Sequence, residues 1–109
     1  MKVIEYTTSD GKEPFKDWLK KLDGSVKFRV QARIMMLADT SNFGVTKSLG
    51  NQLFELKFKK LGGGIRVYYG LDGDKLVVLL SGGNKGTQQA DIEKAHEFWN
   101  DYLTSKEEN

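Results

Sequence analysis

Between Leu53 and Arg66 the run LFELKFKKLGGGIR sets three cations, Lys57, Lys59 and Arg66, at alternating positions of two adjoining β-type segments. Side chains of a strand alternate between its two faces, so Phe54, Leu56 and Phe58 form one set and Glu55, Lys57 and Lys59 the other. After a break at 61–64, Ile65, Val67, Tyr69 and Leu71 share a face and Arg66 and Tyr68 take the opposite one. Pairing Phe58 with Val67 and Leu56 with Tyr69 brings Lys59 opposite Arg66 and Lys57 opposite Tyr68. A slip of one residue would push charge into the core, so the hydrophobic pattern resists it. Like charges directly across a strand pair repel, and no Asp or Glu occurs between Glu55 and Asp72. Two readings fit this face: a lysine-decorated edge strand that blocks aggregation, or a site for an anion.

The rest of the chain supplies elements to hold that face. Lys2 to Thr7 alternates and predicts a first strand. Pro14 suits the first turn of a helix, followed at helical spacing by Phe15, Trp18, Leu19 and Leu22. Asp23-Gly24 separates this from a second helix, Ser25 to about Ser41, whose Val26, Val30, Ile34, Leu37 and Ala38 form a core stripe. Residues 42–51, NFGVTKSLGN, read as a turn-rich connection. Asp72-Gly73 signals a tight hairpin, which aligns Tyr69 with Leu76 and Val67 with Val78. The strand after it, Leu76 to Leu80, is apolar on both faces and belongs inside the sheet. SGGNKG then leads to a last helix with Thr87 as N-cap. Ile92, Ala95, His96, Trp99, Tyr102 and Leu103 share one stripe of that helix, and the tail from Thr104 is expected to fray.

Composition bounds the function. A chain of 109 residues, 39% hydrophobic and 29% charged, reads as a single domain spanning 1–109. Net charge is only +2, so distribution matters more than the total. Bases gather early and on the strands, acids toward the end. The absence of Cys removes disulfides, thiolate chemistry and cysteine zinc sites. With one His, a two-histidine ribonuclease pair is impossible. Asp72 and Asp74 lack calcium-loop spacing, and neither glycine cluster matches a nucleotide-binding loop. The longest apolar run, Leu76 to Leu80, is far too short to span a membrane, and the N-terminus lacks a signal-peptide core; both point to the cytoplasm.

The K-x-K pair followed by the Arg of RVYY, together with the exit GGNKGTQQADIEKA, resembles the addiction-module killer proteins of the RelE/ParE toxin superfamily, close to the HigB and phage Gp49-like toxins. Asn84 and Gly86 stand where that family usually has Asp and Ser. The resemblance implies an α+β, RelE-like fold: an antiparallel sheet, two N-terminal helices on one face and a C-terminal helix elsewhere. It also implies a toxin neutralised by a cognate antitoxin, a small helix-turn-helix protein, and acting on messenger RNA at the ribosome without a cofactor or metal. By position Lys57, Lys59 and Arg66 look like the family's basic active-site residues, with Lys85 as the strand-exit cation. Asp91 stands about where many relatives carry an aromatic residue or His.

Cleaving RNA through its own 2'-hydroxyl requires a base, cations for the charge growing on the phosphate, and an acid for the leaving oxygen. Arg66 stays protonated, and its planar fork suits phosphate oxygens. Lysine serves as base only where neighbouring positive charge or burial lowers its pKa, which the crowding of Lys57, Lys59 and Arg66 would supply. Lys59 or Lys57 is thus the expected base, with Lys85 neutralising the phosphate or protonating the leaving group. Tyr68 suits stacking on a base, and Lys60 adds charge for RNA binding. A ParE-like inhibitor of DNA gyrase and a non-enzymatic RNA-binding domain are the alternatives, since fold alone does not choose between them.

Overall fold

Pro14 lacks an N–H and stands where that donor would be unpaired, at the first position of helix α1 (Pro14–Lys20). The computed structural model describes residues 1–40, 46–58, 61, 63–74 and 76–108. Strand β1 (Lys2–Glu5) precedes α1, and α2 (Gly24–Thr40) follows it. Then come β2 (Thr46–Gly50), β3 (Leu53–Lys57), β4 (Arg66–Asp72), β5 (Leu76–Gly83), one 3-10 turn (Lys85–Thr87) and α3 (Gln88–Glu108). Among the described residues no helix is long and apolar enough to cross a membrane.

The five strands lie in the order β1-β5-β4-β3-β2. β1 runs parallel to β5 and every other pair is antiparallel, so the α+β architecture holds with a mixed sheet. Phe15, Val30, Ile34 and Leu37 of α1 and α2 pack with Leu56, Val67, Tyr69, Val77 and Leu79 on one face. Ala95 and Trp99 of α3 pack with Leu53, Tyr68, Val78 and Leu80 on the other. Burial pushes the Tyr69 phenol up to about 12, in keeping with its expected core position.

Three local expectations change. β2 occupies part of the stretch read as connection, because its TKSLG sequence is an exposed edge without apolar alternation. The β4–β5 hairpin pairs Asp72 with Leu76 and Tyr69 with Leu79, not Tyr69 with Leu76. That odd shift exchanges the faces of β5, and a strand apolar on both faces carries no penalty for it. A bulge between Tyr68 and Tyr69 then sets Tyr68 against Ser81. Finally, the tail does not fray: α3 continues to Glu108, and Asp72 holds it by accepting from Tyr102 at 2.7 Å and pairing with Lys106.

Lys106 and Tyr102 hold the Asp72 carboxyl below its ordinary value of 3.8. A depressed folded pKa means that the tether stabilises fully above the unfolded value and is lost as pH falls through the folded one. Between about pH 5 and pH 2 the wild type should therefore lose stability faster than Asp72→Asn, as urea midpoints at each pH would register.

Two glycines of the sheet make room for two indoles. A Cβ at Gly82 would lie 2.3 Å from the Trp18 ring on the α1 side, and one at Gly70 would lie 2.3 Å from Trp99 under α3. Gly82 and Gly83 are thus strand residues fitted to their neighbours. Gly70→Ala should cost about 1–3 kcal/mol by overpacking, measured by chemical denaturation.

Candidate functional site

β3 and β4 place Glu55, Arg66 and Tyr68 on the α3 face of the sheet, and their register sets Lys57 opposite Arg66 and Glu55 opposite Tyr68. The expected register was two residues away, with Lys59 opposite Arg66. An even slide preserves which residues face the core, so the hydrophobic pattern could not detect it. Gly63 and Gly64, at φ 74° and 77°, turn the chain back into β4. β3 is paired on both sides, by β2 and β4, which removes the reading of an aggregation-blocking edge strand.

The slide brings Glu55 into the row beside the cations. Glu55 is fully buried, and Arg66 is 9% exposed. Their ion pair spans 3.7 Å from Nε to Oε2. The same Oε2 accepts from Tyr68 Oη at 3.1 Å and from Gln88 Nε2 at 2.9 Å. Arg66 Nη1 donates to the Gly64 carbonyl at 2.7 Å. Arg66 is thus buried among polar partners rather than in an apolar interior.

Lys85 stands across the glycine loop. Its N–H donates to the Gly63 carbonyl at 3.3 Å, and its Cβ lies 3.3 Å from where a Gly64 Cβ would be. The turn carrying it is capped by Asn84, whose side chain accepts from the N–H groups of Gly86 and Thr87. Thr87 donates to Asp91, and the Asp91 carboxylate lies over Gly83, the residue paired with Arg66. The polar face therefore carries a second carboxylate, Asp91, in addition to Glu55, beside Lys57, Arg66 and Lys85.

Lys57 and Arg66 are brought together, with Lys85 next to them on the exposed turn. Lys57, half-buried, also lines a hollow of about 400 Å³ under α2 with Phe28, Arg29, Arg33 and Phe58. Lys59 and Lys60 lie outside the described residues. Tyr68 departs from its expected role: it is completely buried beneath α3 and has no ring face to offer a nucleobase. Burial, reinforced by the Glu55 carboxylate, pushes its phenol far above 10.0, so it remains a hydrogen-bond donor. Sequence reasoning missed Glu55 and Gln88. Glu55 was legible as a member of the cationic set, but the partner that buries it comes from 33 residues away.

A model of the family described as phage-derived protein Gp49-like (DUF891) matches residues 17–99, which include the whole arrangement from Lys57 to Asp91. The chain belongs to the Gp49-like family. An uncharacterized Haemophilus influenzae protein is 43% identical to this Gp49-like chain over 82 residues, 74% of the chain and 81% of the relative. A structure of the E. coli toxin RelE, a mutant in the free state, superposes with a TM-score of 0.58 at 18% identity, covering 86% of this chain and 97% of that one. The Gp49-like protein thus has the RelE-like fold that its residues implied.

Proposed function

We propose that this protein is the toxin of a type II toxin-antitoxin module, with residues 1–109 acting as a single toxin domain that cleaves messenger RNA on translating ribosomes. The observation that carries this reading is the Lys57–Arg66 pair across β3 and β4, with Lys85 fixed beside it by the glycine loop. Membership of the Gp49-like family and the fold shared with a toxin support the toxin assignment. The partners are a cognate antitoxin, a small helix-turn-helix protein, and ribosome-bound messenger RNA in the cytoplasm.

In the reaction, Lys57 or Lys59 takes the proton of the 2'-hydroxyl and the 2'-oxygen bonds to phosphorus. The bond from phosphorus to the 5'-oxygen breaks, and that oxygen receives a proton from Lys85. Arg66 directs its guanidinium at the phosphoryl oxygens, where charge builds in the transition state. The products are a 2',3'-cyclic phosphate and a 5'-hydroxyl, and no metal takes part. RNA recognition rests on Lys57, Lys60 and Lys85 and not on Tyr68.

Adding the purified protein to a translating extract should yield cut transcripts. Intact transcripts together with inhibition of gyrase supercoiling would overturn the nuclease reading in favour of a ParE-like inhibitor. Lys57→Arg and Lys59→Arg keep the charge and remove the base. Unchanged cleavage in both variants would show that neither lysine is the base, whereas RNA affinity kept by both variants with no cleavage by the wild type would favour a domain that only binds RNA.

A further inference from the structure

The geometry points to Glu55 as a positioning residue that fixes the Arg66 guanidinium and ties its orientation to the seating of α3. Its consequence for catalysis rests on the function proposed above. Three observations carry it.

First, Glu55 has no exposed surface, so it touches no RNA and cannot act as the base. A buried carboxylate is costly unless paired and hydrogen-bonded. An apolar residue of similar volume would serve the core at least as well, so the charge points to a role beyond packing.

Second, the partners of Glu55 come from two separate elements, β4 and α3. Tyr68 on β4 and Gln88, the first residue of α3, both donate to Oε2, while Arg66 Nε faces the same oxygen at 3.7 Å. Gln88 is the direct link from the helix to the arginine's counter-charge. With Nη1 on the Gly64 carbonyl and Nε toward Glu55, two edges of the guanidinium are set by the protein. Its remaining donors are left for phosphate.

Third, Glu55 Oε1 and Arg66 Nε are buried and, among the described residues, have no hydrogen-bond partner. A buried donor and a buried acceptor left open on an ion pair allow it to tighten by a small rotation. Nε is therefore held by the charge and burial of Glu55, and closing the contact to a hydrogen bond needs no change of partner.

Two measurements decide the matter. The first is hydrogen exchange at Arg66 Nε, followed by nitrogen-15 NMR on the isolated protein without RNA. Slow exchange is expected in the wild type, and at least about tenfold faster exchange in Glu55→Gln and in Gln88→Leu. Unchanged exchange in both variants overturns the inference. Gln88 is only half-buried, so its variant retains the fold and decides the question should Glu55→Gln not fold.

The second measurement is a cleavage cycle. Glu55→Gln should lower kcat about tenfold with little change in KM when Arg66 is present, and less than about twofold in an Arg66→Lys background. Equal losses in both backgrounds overturn the inference, since they would mean that Glu55 does not act through Arg66. A wild type that cuts no RNA refutes the nuclease function instead, and the exchange measurement still decides whether Glu55 holds Arg66.

Discussion

Arg66→Ala should lower RNA cleavage by about a hundredfold or more per folded molecule, the loss expected when a donor to developing phosphoryl charge is removed. The variant also strips a buried carboxylate of its cation, since Glu55 is fully buried and paired with Arg66. Breaking such a pair costs about 3–5 kcal/mol. Rate and stability must therefore be separated, with the folded fraction fixed by circular dichroism before transcripts are assayed. Arg66→Lys keeps a charge for Glu55 but lacks the planar fork. It should retain most of the stability and still lose much of the rate. Full cleavage by both variants would remove Arg66 from the chemistry.

Trp99→Ala should cost about 3–5 kcal/mol of stability. The indole is buried and lies on Gly70, stacks on Tyr102 with ring centroids 5.4 Å apart, and donates from Nε1 to the Asn51 carbonyl at 2.8 Å. One side chain thus joins α3 to the middle of the sheet and to the β2–β3 turn. Against a total stability of about 5–15 kcal/mol, this loss is a large fraction. Because α3 also carries Gln88, loosening it should release Glu55 as well. Urea titration would give the stability, and a midpoint within a few tenths molar of the wild type would show that Trp99 does not bear this load.

Much of this architecture was legible because charge and burial alternate cleanly where a strand has one apolar face. Phe54, Leu56, Val67 and Tyr69 identify the core side of β3 and β4, and the structure keeps all four on it. Their pairing was not legible, since sliding two antiparallel strands by an even step keeps every side chain on its face. The positive φ of Gly63 and Gly64 fixes the step taken here, and GGG has no single turn geometry. In β5, apolar on both faces, even an odd shift went unopposed.

Helix faces were read correctly from period, but the interplay between helix and sheet was not. Gly70 and Gly82 look like breaks in a sequence, yet each is the floor beneath a tryptophan. Glu55 looked like an outward residue of the cationic set, and Tyr68 like an exposed ring. Both are sealed by α3, which follows directly on the 3-10 turn capped by Asn84. Long-range burial of this kind leaves no periodic trace. That is why the carboxylate beside Arg66 came from the structure.

The most direct test of the proposed chemistry is the end groups of transcripts recovered from a translating extract after exposure to the protein. Attack by the 2'-hydroxyl predicts fragments ending in a 2',3'-cyclic phosphate with a 5'-hydroxyl on the downstream piece, absent when Arg66→Ala replaces the wild type. Transcripts that stay whole, or cuts that leave a 5'-phosphate, would contradict it.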